Sequence, residues 1–167
     1  MNDRPKLSVP FSDLHKKLFF ASLGLLMFTW VYTIISIFRL PATIASHFNA
    51  QGIPDDFSTK HYIWFIPILA TIMFFSLNYL ARFPHQFNYL KKITPENAQY
   101  EYNKGVTMMR LIILSICTVF AILLYAIVQL STTTTESQVR FQKFLFPIIV
   151  IVILGPIFWY LFLGKKK

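Results

Sequence analysis

The residues able to do chemistry are few, and most lie outside the apolar parts of the chain. His47, Asp55 and His61, with Asp56 beside them, combine imidazole and carboxylate, a donor set that suits zinc. Their spacing matches no H-x-x-x-H or comparable ligand pattern, so they are weak metal candidates. The plainer reading has His47 hydrogen-bonded within its own segment and His61 at the level of lipid headgroups. Cys117, the single cysteine, sits in an uncharged apolar stretch where an inert thiol is expected. There is no G-x-S-x-G elbow, no glycine-rich phosphate loop and no H-E-x-x-H pair. No catalytic residue and no cofactor is assigned, and the expected role is non-enzymatic.

Two polar segments hold the remaining motif-like residues. The first, 39–61, reads RLPATIASHFNAQGIPDDFSTKH. Pro41 closes the preceding apolar run, and Gly52, Pro54 and Asp55 mark tight turns. Such a turn would hold His47, Phe48 and Asn49 in a fixed relation to Lys60. It would serve either as a structural cap on the helix ends or as a surface presented to an external peptide. Asn and His side chains suit the first role because they satisfy loop backbone groups. Ser58 or Thr59 is placed to cap the next helix. The second segment holds Asn88 and then Thr94-Pro95-Glu96-Asn97. Thr94 reads as an N-cap, Pro95 as the first helical residue, and Glu96 as an acid near the positive end of the helix dipole.

The elements that must position these residues follow from composition. Hydrophobic residues make up 55% of the chain, aromatics 17% and charged residues 14%. That charged share is well below the roughly 25% of soluble proteins, and a chain this short has too little interior to hide its apolar surface. A soluble globule, a disordered tail and a disulfide scaffold are excluded. Four uncharged runs, 18–38, 62–80, 111–130 and 144–163, each approach the ~20 residues a helix needs to cross hydrocarbon. In lipid such runs must satisfy their own backbone groups, so helices are expected. The predicted fold is an all-α membrane protein with four transmembrane helices spanning 18–163. A tail (1–17), an outer loop (39–61), a central loop (81–110), a second outer loop (131–143) and a basic end (164–167) complete it. The first run lacks a cleavage site and reads as an anchor. The third helix is predicted to start at Pro95 and to stand partly in the cytoplasm, while the tail reads as loose or surface-lying.

Lysine and arginine choose the orientation. Twelve lie in the tail, the central loop and the C-terminus, against four in the other two loops. Both termini therefore belong in the cytoplasm of an inner-membrane protein, and the +9 net charge is topology information. Its juxtamembrane placement implies contact with anionic headgroups and excludes nucleic acid as a partner. The spans hold no Asp, Glu, Lys, Arg or His, which argues against a single-chain pump. Asn78 and Gln129 read as interfacial. Ser22, Thr29, Thr33 and Ser36 suit helix packing, although a homo-oligomeric channel would need a polar seam such as Thr29, Thr33 and Ser36. Pro67, Pro147 and Gly155-Pro156 read as kinks.

The outer segment resembles the membrane-protein family called domain of unknown function 1648. Leu40-Pro41, Ile44, His47-Phe48-Asn49, Gln51-Gly52, Pro54-Asp55, Phe57 and Lys60 carry the resemblance, with Ala45 and Phe57 standing where the family usually has proline and tryptophan. Asn88-Tyr89 and Ile93 to Ala98 extend it. The resemblance implies an integral membrane protein without established enzymatic activity, in a bacterial host. Longer relatives are SdpI-like proteins linked to immunity against secreted peptide toxins and to signalling, and this chain lacks their further spans.

Overall fold

A computed structural model of the chain describes residues 4–49, 53–132 and 135–163, with the side chains of 135–144, 146 and 163 left aside. Among these residues the order is α1 (Asp13–Ser36), β1 (Thr43–Phe48), β2 (Pro54–Thr59), α2 (Phe65–Leu80), α3 (Ala98–Thr132) and α4 (Thr135–Phe158). Short 3-10 turns precede α2 and follow it, and one π-helical turn, Trp159–Leu163, continues α4.

Three helices are long and apolar enough to cross a membrane: Asp13–Ser36, Lys60–Leu80 and Ala98–Thr132. The fourth apolar segment, Pro147–Phe162, is shorter. α3 is the hub, packing on α1, α2 and α4. One apolar cluster, Leu26, Ala70, Phe74, Ile113 and Cys117, fills the middle of the three-helix contact. The buried face of α1 is rich in hydroxyls: Ser22, Thr29, Thr33 and Ser36 are all almost fully buried. Ser22 donates to Leu18 O at 2.7 Å and Thr29 to Leu26 O at 2.7 Å, which satisfies those hydroxyls within their own helix. The candidate channel seam thus lies inside the chain, against its own partners. Trp30 Nε1 donates to Thr71 Oγ1 at 3.0 Å and ties α1 to α2.

The structure corrects five expectations. The outer segment is not a loop but a two-stranded antiparallel sheet, so the chain is not all-α. Its strand signal is masked because Pro54-Asp55-Asp56 are poor strand formers and because burial on α3, not local propensity, holds the hairpin. α4 begins at Thr135, inside the predicted loop 131–143, since Glu136–Lys143 contains no glycine or proline to stop a helix. The tail is not loose: Arg4 Nη1 donates to Phe87 O at 2.7 Å, and Pro5 O accepts from the Tyr102 hydroxyl at 3.0 Å. Tyr102 is fully buried and needs that acceptor. Finally, α3 starts at Ala98 rather than Pro95, after a turn closed by Ala98 N–H to Thr94 O at 2.9 Å. The predicted cap of the second span is also absent, because Thr59 makes no side-chain bond to the turn it precedes. By contrast α1 is capped by Ser12, whose Oγ accepts from His15 N–H at 3.2 Å.

Candidate functional site

The polar motifs collect at the two ends of the helix bundle. At one end the β1–β2 hairpin sits on the helices. Ile44, 1% exposed, packs with Ile37, Leu40, Ile63, Ile66, Leu124, Ile127 and Val128, so the first strand is bolted to α3 and to the start of α2. Phe48 is partly buried against the same cluster. Lys60 N–H donates to Ala42 O at 2.9 Å and closes the base of the hairpin. Asn49 closes the other end: its backbone exchanges with Ile53 O at 2.9 Å, and its Oδ1 accepts from Ile53 N–H at 2.9 Å. The predicted turn residue Gly52 lies outside the described residues. Pro54 pairs with Phe48 at the start of β2.

The ladder is irregular in a compensated way. Ala45 pairs with Phe57, His47 with Asp56 and Phe48 with Pro54. One residue is therefore unpaired on each strand, Ser46 on β1 and Asp55 on β2. Bulges of this kind re-aim side chains. Here the Asp55 carboxylate meets His47 Nδ1 at 2.5 Å on the exposed face, while Ser46 Oγ reaches Asp56 Oδ2 at 3.4 Å. A shallow hollow of about 470 Å³ beside them is lined by His47, Asp55, Asp56 and Tyr62 among others. His61 does not line it, and among the described residues no group of three or more His, Cys, Asp or Glu side chains converges as a metal site would require. The weak metal trio His47, Asp55 and His61 is thus not assembled. Phe57 and Ile53 are also exposed on this hairpin segment.

At the opposite end, the second motif proves to be a brace. Asn97 Oδ1 accepts from Thr94 N–H at 2.8 Å, and its Nδ2 donates to Lys92 O at 3.0 Å. Pro95 and Glu96 form the intervening turn. Hydrogen bonding from Thr94, helped by the backbone, holds the Glu96 carboxyl below its ordinary range. Lys91 approaches the buried Glu101 carboxylate at 3.8 Å. Asn88 is exposed beside Tyr89, whose hydroxyl donates to Pro84 O at 2.8 Å. Burial pushes the Tyr89 phenol well above its ordinary value.

A third constellation is absent from the motif reading. His15 on α1 is buried at 1% exposure, and its Nε2 lies 2.9 Å from Thr107 Oγ1 on α3. The same Thr107 hydroxyl reaches Asn103 O at 2.8 Å, so it links the imidazole to the α3 backbone. Next to it Arg110 Nη1 donates to Asn78 Oδ1, and the guanidinium lies over the Phe11 ring at 4.9 Å and the Phe19 ring at 5.7 Å. The sequence signal for this group is faint: a histidine and an arginine at the brink of two separate apolar runs. Asn78, read from the sequence as interfacial, serves here as the acceptor for Arg110.

Residues 24–71, from the middle of α1 through the hairpin to the middle of α2, match the family model described as Domain of unknown function (DUF1648). The resemblance carried by the hairpin residues is therefore real. The chain is also similar to an uncharacterized protein of Archaeoglobus fulgidus, 26% identical over 163 residues, covering 89% of this chain and 86% of the relative. No solved structure matches it.

Proposed function

We propose that this is a four-span membrane protein of the cell membrane that acts by binding, with the hairpin outside, both termini and the 81–97 connection in the cytoplasm, and an external peptide or a second membrane protein as the hairpin's partner. One observation carries the reading: the hairpin is anchored through Ile44 and yet turns His47, Asp55, Asp56 and Phe57 outward, where the bundle has no need of them. A structural cap would bury its aromatic residue, whereas Phe57 is 60% exposed. An exposed aromatic on the same hairpin as a polar pair fits recognition, since such groups give contact area at low entropic cost. The lysine and arginine distribution supports the orientation, and α4 supplies the fourth crossing when the bilayer thins locally around its short apolar part, Pro147–Phe162.

Two measurements test this. In a Cys117→Ala background, a cysteine replacing Phe57 should react with a membrane-impermeant maleimide on intact cells, and one replacing Asn88 should not. The reverse pattern would invert the topology. His47→Ala, Asn49→Ala and Asp55→Asn should then insert and melt near wild type while failing to complement a deletion strain. If all three simply misfold, the hairpin is a cap and recognition fails.

A further inference from the structure

The far end of the bundle holds a cavity of about 480 Å³ between the tail, the start of α1, the end of α2 and the start of the apolar part of α3. Phe11, His15, Phe19, Asn78, Arg82 and Arg110 line it. We propose that this cavity binds an anionic phosphoryl group, with the Arg110 guanidinium as its principal ligand and Arg82 at the rim.

The charge balance points there first. Arg82 and Arg110 face the cavity, and no Asp or Glu lines it among the described residues. The ion pairs found among those residues are Lys16–Asp13, His47–Asp55 and Lys91–Glu101, so Arg110 has no carboxylate. Among the described residues its acceptor is the neutral Asn78 amide, held in that orientation because Asn78 Nδ2 donates to Phe74 O at 2.8 Å. Arg110 Nε is buried and makes no hydrogen bond among the described residues. A half-buried cation without a counter-ion costs desolvation energy that a bound anion would offset.

The geometry is also preorganised. The Phe11 and Phe19 rings lie against the guanidinium and fix its plane, so its donor edges are aimed before any ligand arrives. Oxyanions with two acceptor oxygens, phosphate above all, match that fork. The neighbouring wall is apolar: Val9, Phe11, Phe19 and Val106 leave room for hydrocarbon next to the charge. Arg110 stands just before the uncharged run 111–130, the depth at which a phospholipid presents its phosphate. Two sources thus offer the same group, the headgroup of an anionic lipid and free inorganic phosphate. The site rests on these helices crossing a bilayer but not on the hairpin's role or on which side is cytoplasmic.

Native mass spectrometry of the full chain in a neutral detergent separates the possibilities, using phosphatidylglycerol, the phosphate-free lipid diacylglycerol and inorganic phosphate as probes. Phosphatidylglycerol should be retained about tenfold or more over diacylglycerol, as expected for a charge-assisted contact, and Arg110→Gln should abolish the preference. Asn78→Asp is the sharper variant, because it puts a carboxylate on the guanidinium. The new ion pair offsets the lost bond to Phe74 O, so the variant should still fold and yet lose the lipid. Phosphatidylglycerol binding that inorganic phosphate cannot displace assigns the lipid as source, and displacement by phosphate at millimolar levels assigns the free ion. Equal retention of the two lipids with no phosphate binding would overturn the site. So would an Asn78→Asp protein that keeps phosphatidylglycerol as wild type does, an outcome readable even if Arg110→Gln fails to fold.

Discussion

The Tyr89 hydroxyl stands where a side chain on Gly105 would have to go: a Cβ there would lie 2.8 Å from that oxygen, 3.1 Å from Tyr89 Cε1 and 3.2 Å from Phe87 Cδ2. The ring cannot swing aside freely, because its hydroxyl is committed to the Pro84 carbonyl. α3 carries a glycine here so that the 84–89 connection can lie flat against it, at a small cost in helix propensity. Gly105→Ala should therefore destabilise the protein by about 1–3 kcal/mol through overpacking. Tyr89→Phe in the same chain should recover part of the loss. Thermal unfolding in detergent measures both, and an unchanged or raised midpoint for the single variant would contradict the close approach.

Anchoring and display separate cleanly in the hairpin. Ile44→Ala removes a side chain at the centre of the apolar cluster and should cost about 2–5 kcal/mol. Asp55→Asn alters an exposed pair and should move stability by less than about 1 kcal/mol. Unfolding curves for the two variants, collected side by side, check the contrast. An Asp55 effect as large as that of Ile44 would make the pair structural.

The hydroxyl face of α1 makes a third case. Thr33 Oγ1 is buried without a hydrogen-bond partner among the described residues, so Thr33→Val should leave stability unchanged or raise it by about 1 kcal/mol. Thr71→Val instead strands the Trp30 indole N–H and should cost roughly 0.6–1.7 kcal/mol, the range for such bonds inside membranes. Flux through reconstituted vesicles should be unaffected by Thr33→Val, since the seam is buried within this chain. A flux that changes would restore a channel reading.

Acid should loosen the approach to α3. The folded Glu96 carboxyl titrates below its ordinary value of 4.5, because Thr94 donates to its ionised form. Its contribution is therefore present above that ordinary value and is lost as pH falls through the lower folded one. Amide exchange at Asn97 and Ala98 should quicken, relative to the rest of α3, across that interval. Thr94→Val should remove the difference, and an exchange profile flat with pH in the wild type would refute the bond.

Hydropathy is a local property, so the three long apolar helices can be read directly from Leu, Ile, Phe and Val runs, and Ser12 announces its own cap. The hairpin is not local. Its strand β1 is held by Ile44 reaching Leu124 and Ile127, and its ladder carries an unpaired residue on each strand, which destroys the simple alternation that marks a strand. α4 starts early because Thr135–Lys143 looks like a polar linker by composition while containing nothing that stops a helix. His47 and Asp55 can be paired by eye once a turn is placed between them, but His61 lies beyond the strand and does not join them. His15, Asn78 and Arg110 come from three helices, and only packing brings them to one cavity. No spacing rule links them.

The clamp of Arg4 and Pro5 onto the 85–87 backbone and Tyr102 has a consequence for biosynthesis. During translation Arg4 and Pro5 are made well before the surfaces that receive them, which follow 81 to 97 residues later. Their docking must therefore wait until the whole of α1, the hairpin, α2 and the opening turns of α3 have been synthesised.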